Sequence, residues 1–225
     1  MRVTLGLSVL VAVFGASTGT SIAGTTILPN PDCCTFEPGP YSQDLGDVAT
    51  FDNTGSTSPH NVTSTATGPD GRPLFYSVSL LGGQSAEVKG TQYLPAGTYP
   101  FICTFHSPGM SGELIVDGGK GTIAARPTVR VSFAAQRLAT VKRRGVKVKV
   151  KAVTASSGVA ITAFRGKLKL GSKAGIKLAA GQTRTVTLPL TKAARRAIRK
   201  AKAVPIKLKA TVLFGKPSTA NRRVR

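Results

Sequence analysis

From Gly118 to Arg225 the chain carries 28 basic residues and not one acid. No carboxylate within such a stretch can pair its cations, and a buried, unpaired ammonium or guanidinium is too costly to keep. The Lys and Arg heads must therefore stay in water, and any fold has to set an apolar face against a cationic one. The sequence does this with a period of two. Val129/Val131/Phe133, Val146/Val148/Val150, Val186/Leu188/Leu190 and Ile206/Leu208/Ala210/Val212 alternate with Lys, Arg, Ser or Thr at most positions between them. That pattern predicts strands with one buried and one wet face. One short helix is expected over 192–202, with Thr191 as N-cap and Ala194, Ile198 and Ala201 on a single stripe. The aromatic residues of this stretch, Phe133, Phe164 and Phe214, are expected in its core.

Residues 24–117 reverse the balance, holding all nine acids of the chain against two bases, Arg72 and Lys89, a net of −7. The switch at Gly118-Gly119-Lys120-Gly121 predicts a boundary: one domain over 24–117, a linker over 118–127, and a basic Ig-like β-sandwich over 128–225. In the first domain Val48–Phe51, Phe75–Leu81, Tyr99–Cys103 and Glu113–Val116 read as short strands. Turn residues separate them, as at Gly68-Pro69-Asp70-Gly71 and Pro95-Ala96-Gly97. The fold class is therefore all-β, two sandwiches in series. Ahead of them, Met1-Arg2, an apolar run to Ala16 and Ser21-Ile22-Ala23 before Gly24 have the form of a cleavable signal peptide over 1–23. No other run is long enough to span a bilayer as a helix. The mature chain is expected to be exported, whether periplasmic, cell-surface or secreted, and without a transmembrane helix.

Two His and three Cys exclude a multi-His metalloenzyme core and a disulfide-dense scaffold. They also make the stretch from Tyr99 to Val116 conspicuous. Cys103, His106 and Met110 stand there in the spacing Cys-x2-His-x3-Met, between two strand-like runs. Thiolate and imidazole are strong ligands for a borderline-soft metal, and a thioether is a weak axial one. One more imidazole would complete a trigonal set, and His60, in Ser58-Pro59-His60-Asn61-Val62, is the only other His. Zinc is the competing metal, but structural zinc takes four strong ligands and a thioether is a poor one.

These residues resemble a blue (type 1) copper protein of the plastocyanin, amicyanin and pseudoazurin group, the cupredoxins. The likeness covers residues 40–117: Gly46-Asp47-Val48 with Phe51 and Asn53, then Pro59-His60-Asn61-Val62, then the Cys103/His106/Met110 loop, in the family's order. It implies a Greek-key β-sandwich and a single type 1 copper ion held by His60, Cys103, His106 and Met110. It also implies that Asn61 ties the two ligand loops together, and that electrons leave by the His106 edge through an apolar patch of Phe105, Pro108, Gly109 and Pro59. Three residues separate His106 from Met110, between the shorter amicyanin loop and the longer plastocyanin loop, which leaves the copper–Met distance and the potential open. The basic half resembles, in pattern alone, the Arg/Lys-rich β-sandwich modules appended to some exported bacterial proteins, a likeness that brings no activity with it.

The expected function is single-electron carriage between redox partner proteins by Cu(I)/Cu(II) cycling, with no substrate chemistry of its own. Copper sequestration or delivery in the cell envelope is the alternative, and a wall-associated adhesin that has lost redox use is a third. The basic half is expected to meet an anionic cell-envelope polymer or lipid surface, not nucleic acid, because its few aromatics offer no stacking platform. Cys33-Cys34 remains open between a vicinal disulfide, a bridge to another chain and an accessory Cu(I) site. Asn61-Val62-Thr63 has the form of a glycosylation sequon, but a residue beside a metal ligand is a poor acceptor.

Overall fold

The computed structural model describes residues 23–32 and 34–225. The expected signal peptide lies outside the described residues but for Ala23, and so does Cys33. In the first half the strands are β1 (Ala23–Ile27), β2 (Tyr41–Leu45), β3 (Val48–Asp52), β4 (Thr63–Ser64), β5 (Ser85–Glu87), β6 (Gly97–Ile102) and β7 (Ser111–Gly121). They form two sheets, ordered β1-β3-β5 and β2-β7-β6-β4. β1 runs parallel to β3 and β2 parallel to β7. The alternation is plain in β3, where Ala49 and Phe51 are buried and their neighbours are not. Phe101 of β6 anchors the core, edge-on to Phe36 at 4.9 Å and to Phe75 at 6.4 Å, with Leu114 and Val116 of β7 in the same cluster.

The second half contains β8 (Val129–Phe133), α1 (Leu138–Arg144), β9 (Val146–Ala152), β10 (Ser156–Arg165), β11 (Leu168–Leu178), β12 (Thr183–Leu188), α2 (Lys192–Ile198), β13 (Val204–Thr211) and β14 (Ser218–Val224). Its sheets are ordered β12-β9-β8 and β11-β10-β13-β14, antiparallel throughout. Valines 146, 148 and 150 point inward while Lys149 and Lys151 are exposed, so the cations stay in water as their chemistry requires. Thr191 caps α2 by accepting from the Ala194 amide at 3.0 Å.

Several local expectations are corrected. Phe75–Leu81 is no continuous strand; it touches its neighbours through isolated bridges at Tyr76 and Leu80. Residues 118–121 do not open a linker but extend β7, with Gly121 paired to Leu45. α2 ends at Ile198, although Ala201 still packs against the core. The described residues hold a second α-helix, α1, which buries only Leu138 and Val141 and stops at Gly145, where φ is +98°. Phe164 and Phe214 are outside the core of the second half, and Phe133 only lines it.

Phe214 belongs to the contact between the halves. Its ring lies 5.8 Å from Tyr76 and 5.6 Å from Tyr93. Its amide donates to Asp70 Oδ2 at 2.9 Å, and its carbonyl accepts from Arg126, which also donates to the Tyr93 carbonyl. These bonds hold Phe214 in the left-handed region, at φ +60°, a conformation costly for a bulky residue. Gly90 sits beneath the ring; a Cβ there would meet the Leu74 carbonyl at 2.5 Å and Phe214 at 2.7 Å.

Candidate metal centre

The site stands at one end of the first sandwich, where β6 runs into the turn before β7. Three backbone bonds close that turn: Cys103 N–H to the Met110 carbonyl at 3.0 Å, His106 N–H to the Cys103 carbonyl at 3.3 Å, and Met110 N–H to the His106 carbonyl at 3.1 Å. They bring Cys103, His106 and Met110 into one compact loop. His60 arrives from another segment, exchanging backbone bonds of 3.0 and 2.9 Å with Leu80. Asn53 braces that segment, its Nδ2 donating to the Ser58 carbonyl at 2.9 Å and the Leu80 carbonyl at 3.1 Å.

Cys103 Sγ lies 3.8 Å from His60 Nδ1 and 3.7 Å from His106 Nδ1. The three ligand atoms all fall within 4.8 Å of one another. A sulfur at ~2.3 Å and a nitrogen at ~2.0 Å from one metal ion, at trigonal angles, are themselves about 3.7 Å apart. The side chains are therefore spaced as ligands of a shared ion, and the thiol, imidazole, imidazole set suits copper. Cys103 is a free, fully buried thiol, His60 is fully buried and His106 half-buried. Met110 is fully buried in the same core cluster as Cys103.

Positioning groups surround the set. Ser56 Oγ is 3.2 Å from His60 Nε2, and donation of that ring N–H to the hydroxyl leaves the Nδ1 lone pair facing Cys103. Burial, and then the nearby His106, lower the His60 pKa, favouring the neutral imidazole that a metal needs. Asn61 clips the two loops together, donating through Nδ2 to Thr104 Oγ1 at 2.7 Å and accepting the Thr104 amide at 2.9 Å. A buried amide so engaged is no glycosylation acceptor. Around His106, the expected patch residues Pro59, Phe105, Pro108 and Gly109 are all exposed, and the Phe105 ring centre is 6.5 Å from the imidazole. Leu81, 63% exposed, directly follows the residue paired to His60.

The structure thus clusters His60, Cys103 and His106, with Met110 in the same loop and core and Asn61 joining the two segments. The sequence reading missed Ser56 and Thr104; both are hydroxyl residues of a common type, with no spacing signature to single them out. Cys34 is disulfide-bonded, the oxidised alternative for that residue.

No protein-family model and no curated protein matches this chain. Solved structures similar to it include a purple cupredoxin from Nitrosopumilus maritimus, at 24% identity and TM-score 0.33, over 42% of this chain and 99% of that one. A Cu-containing nitrite reductase (NirK) from Thermus scotoductus SA-01 is 20% identical at TM-score 0.34, over 53% of this chain but only 26% of the reductase. A DUF3823 family protein from Bacteroides ovatus ATCC 8483 is 14% identical at TM-score 0.29, over 89% of this chain and 98% of that one. These are likenesses of fold alone, and the chemistry of the site rests on the distances given above.

Proposed function

We propose that this protein is an exported carrier of single electrons, working on one copper ion held by His60, Cys103, His106 and Met110. The observation that carries this reading is the buried Cys103 thiol, 3.8 and 3.7 Å from two imidazole nitrogens, one ring sealed and the other at the surface. Copper, when bound, would supply the one-electron Cu(I)/Cu(II) couple. The chain's own part is to hold the ligands still while the charge changes. Ser56 fixes the His60 tautomer, Asn61 and Thr104 lock loop to loop, and Asn53 keeps the His60 segment on its neighbour. Met110 and Cys103, both fully buried, exclude water from the inner side. The half-exposed His106, with the Phe105 ring beside it and Pro59 and Pro108 exposed on the same two loops, is the contact through which partner proteins exchange electrons in this reading. The stretch from 118 to 225, with 28 cations and no acid, attaches the carrier to an anionic surface of the cell envelope.

Copper titration of the purified full chain, followed by optical spectroscopy and voltammetry, tests this reading. An intense visible thiolate band with fast, reversible one-electron cycling is the expected result. Tight Cu(I) binding without reversible cycling would favour a copper-sequestering protein instead.

A further inference from the structure

The second half has one aromatic residue that neither its core nor the contact between the halves uses. Along β10, Val159, Ile161 and Ala163 are buried, so Phe164 takes the opposite parity and faces outward from the sheet, half-buried. It pairs with Lys207 of β13 on one side and Lys169 of β11 on the other, and Lys207 pairs in turn with Asn221 of β14. One row across four strands therefore reads Lys169–Phe164–Lys207–Asn221. The adjacent rows add Lys209, opposite Thr219 and Thr162, and Arg223, opposite Pro205. Lys169, Lys207, Lys209, Asn221 and Arg223 are all exposed. Among the described residues no cation lies over the Phe164 ring; the cation–ring contact present is that of Arg126 with Tyr93.

Resting on the anionic-surface part of the function proposed above, we infer that this face of the four-stranded sheet is a docking site for a sugar chain bearing acid groups. The ring of Phe164 offers an apolar platform for the C–H face of a pyranose. Lys169 and Lys207, about 10 Å apart at the strand spacing, flank it for carboxylate or phosphate groups, and Asn221 and Thr219 supply amide and hydroxyl partners for sugar hydroxyls. Charge complementarity selects an anionic occupant, since residues 118–225 contain no acid to compete. The single flat aromatic argues against the rivals. Base-stacking surfaces use successive aromatics, and a membrane-binding face needs protruding apolar side chains, whereas Phe164 is half-buried between polar neighbours. The opposite sheet is equally basic, with Arg130, Lys149 and Lys151 outward, but its outward positions on β8, β9 and β12 hold no aromatic ring. It serves as the internal control.

The test is retention of the full-length protein on polygalacturonate, inorganic polyphosphate, single-stranded DNA and phosphatidylglycerol vesicles over a salt series. Phe164→Ala is expected to weaken polygalacturonate binding roughly three- to tenfold and polyphosphate binding by less than twofold, and Phe164→Tyr to restore the first. K169Q/K207Q is expected to weaken polygalacturonate binding more than K149Q/K151Q, and thermal melts confirm that each variant is folded. Equal losses for the two double variants, with Phe164→Ala like the parent, would overturn the assigned face while leaving the anchoring reading intact. A Phe164-dependent preference for DNA or vesicles would overturn the glycan. No retention on any polyanion would overturn the anchoring reading, and this inference with it.

Discussion

In the second half, β13 and β14 match residue for residue over seven pairs, and β9 and β12 over six. In the first half, the segment that carries His60 is held by isolated bridges: His60 to Leu80, Thr63 to Tyr76, Tyr76 to Lys89. Both halves bury their apolar residues between two sheets, yet one is fixed by long backbone ladders and the other, near its site, by side chains. A ladder sets a face; it cannot by itself aim two imidazoles from different segments at one sulfur. Asn53, Ser56, Asn61 and Thr104 do that, through side-chain hydrogen bonds that no ladder supplies. The difference locates chemistry where regular pairing is interrupted and geometry is held by specific side-chain bonds.

The largest effect is expected of Cys103→Ser. This substitution leaves the ladders untouched but removes the thiolate, and copper affinity should fall by more than about a hundredfold, beyond the range for losing an outer partner. The visible thiolate absorption should vanish with it. Copper titration by competition with a chelator checks this.

Phe214→Ala attacks the seam between the halves. Its buried ring and the bonds of its backbone link β-rich units whose cores share no residue. Removing the ring should cost about 3 kcal/mol and split a single thermal transition into two, which calorimetry resolves. A single transition at unchanged temperature would show that the seam contributes little.

How far such a molecule can be read from sequence follows the same contrast. Strands β8, β9, β12 and β13 are legible because the alternation is strict. β10 and β11 are not, because their pairing shifts register between Ala163 and Phe164 and again near Val159, and Gly158, Gly171 and Gly175 interrupt the apolar period. β14 is missed because Ser218–Val224 is polar, as an edge strand tends to be. The His60, Cys103 and His106 cluster is legible for a different reason: with two His in 225 residues, few constellations are available. Ser56 is illegible because nothing separates one serine from another until the fold lays its hydroxyl against His60 Nε2. Phe164 is illegible as a surface residue because a lone aromatic residue reads as core until the fold sets it opposite in parity to Val159, Ile161 and Ala163.

Asn61→Ala deletes one side-chain clip between the two loops. Copper affinity should drop about 10–100-fold, which the same competition titration reports. The smallest effect on affinity belongs to Met110→Leu. A buried thioether gives way to a group of similar volume, so copper should remain bound within about tenfold, while the reduction potential rises because a weak axial donor is lost. Voltammetry of the variant beside the parent measures the shift; a variant unable to hold copper would move Met110 into the same rank as the imidazoles.

In the proposed function one sulfur and two imidazoles, held by side-chain bonds, take the same metal ion in both oxidation states with little movement. X-ray absorption of the copper-loaded full chain, recorded oxidised and then reduced, tests it most directly. One short sulfur neighbour from Cys103 and two nitrogen neighbours, from His60 and His106, are expected in both states at nearly unchanged distances. Loss of the sulfur, replacement of a nitrogen by solvent oxygen, or a large change in distances on reduction would contradict it.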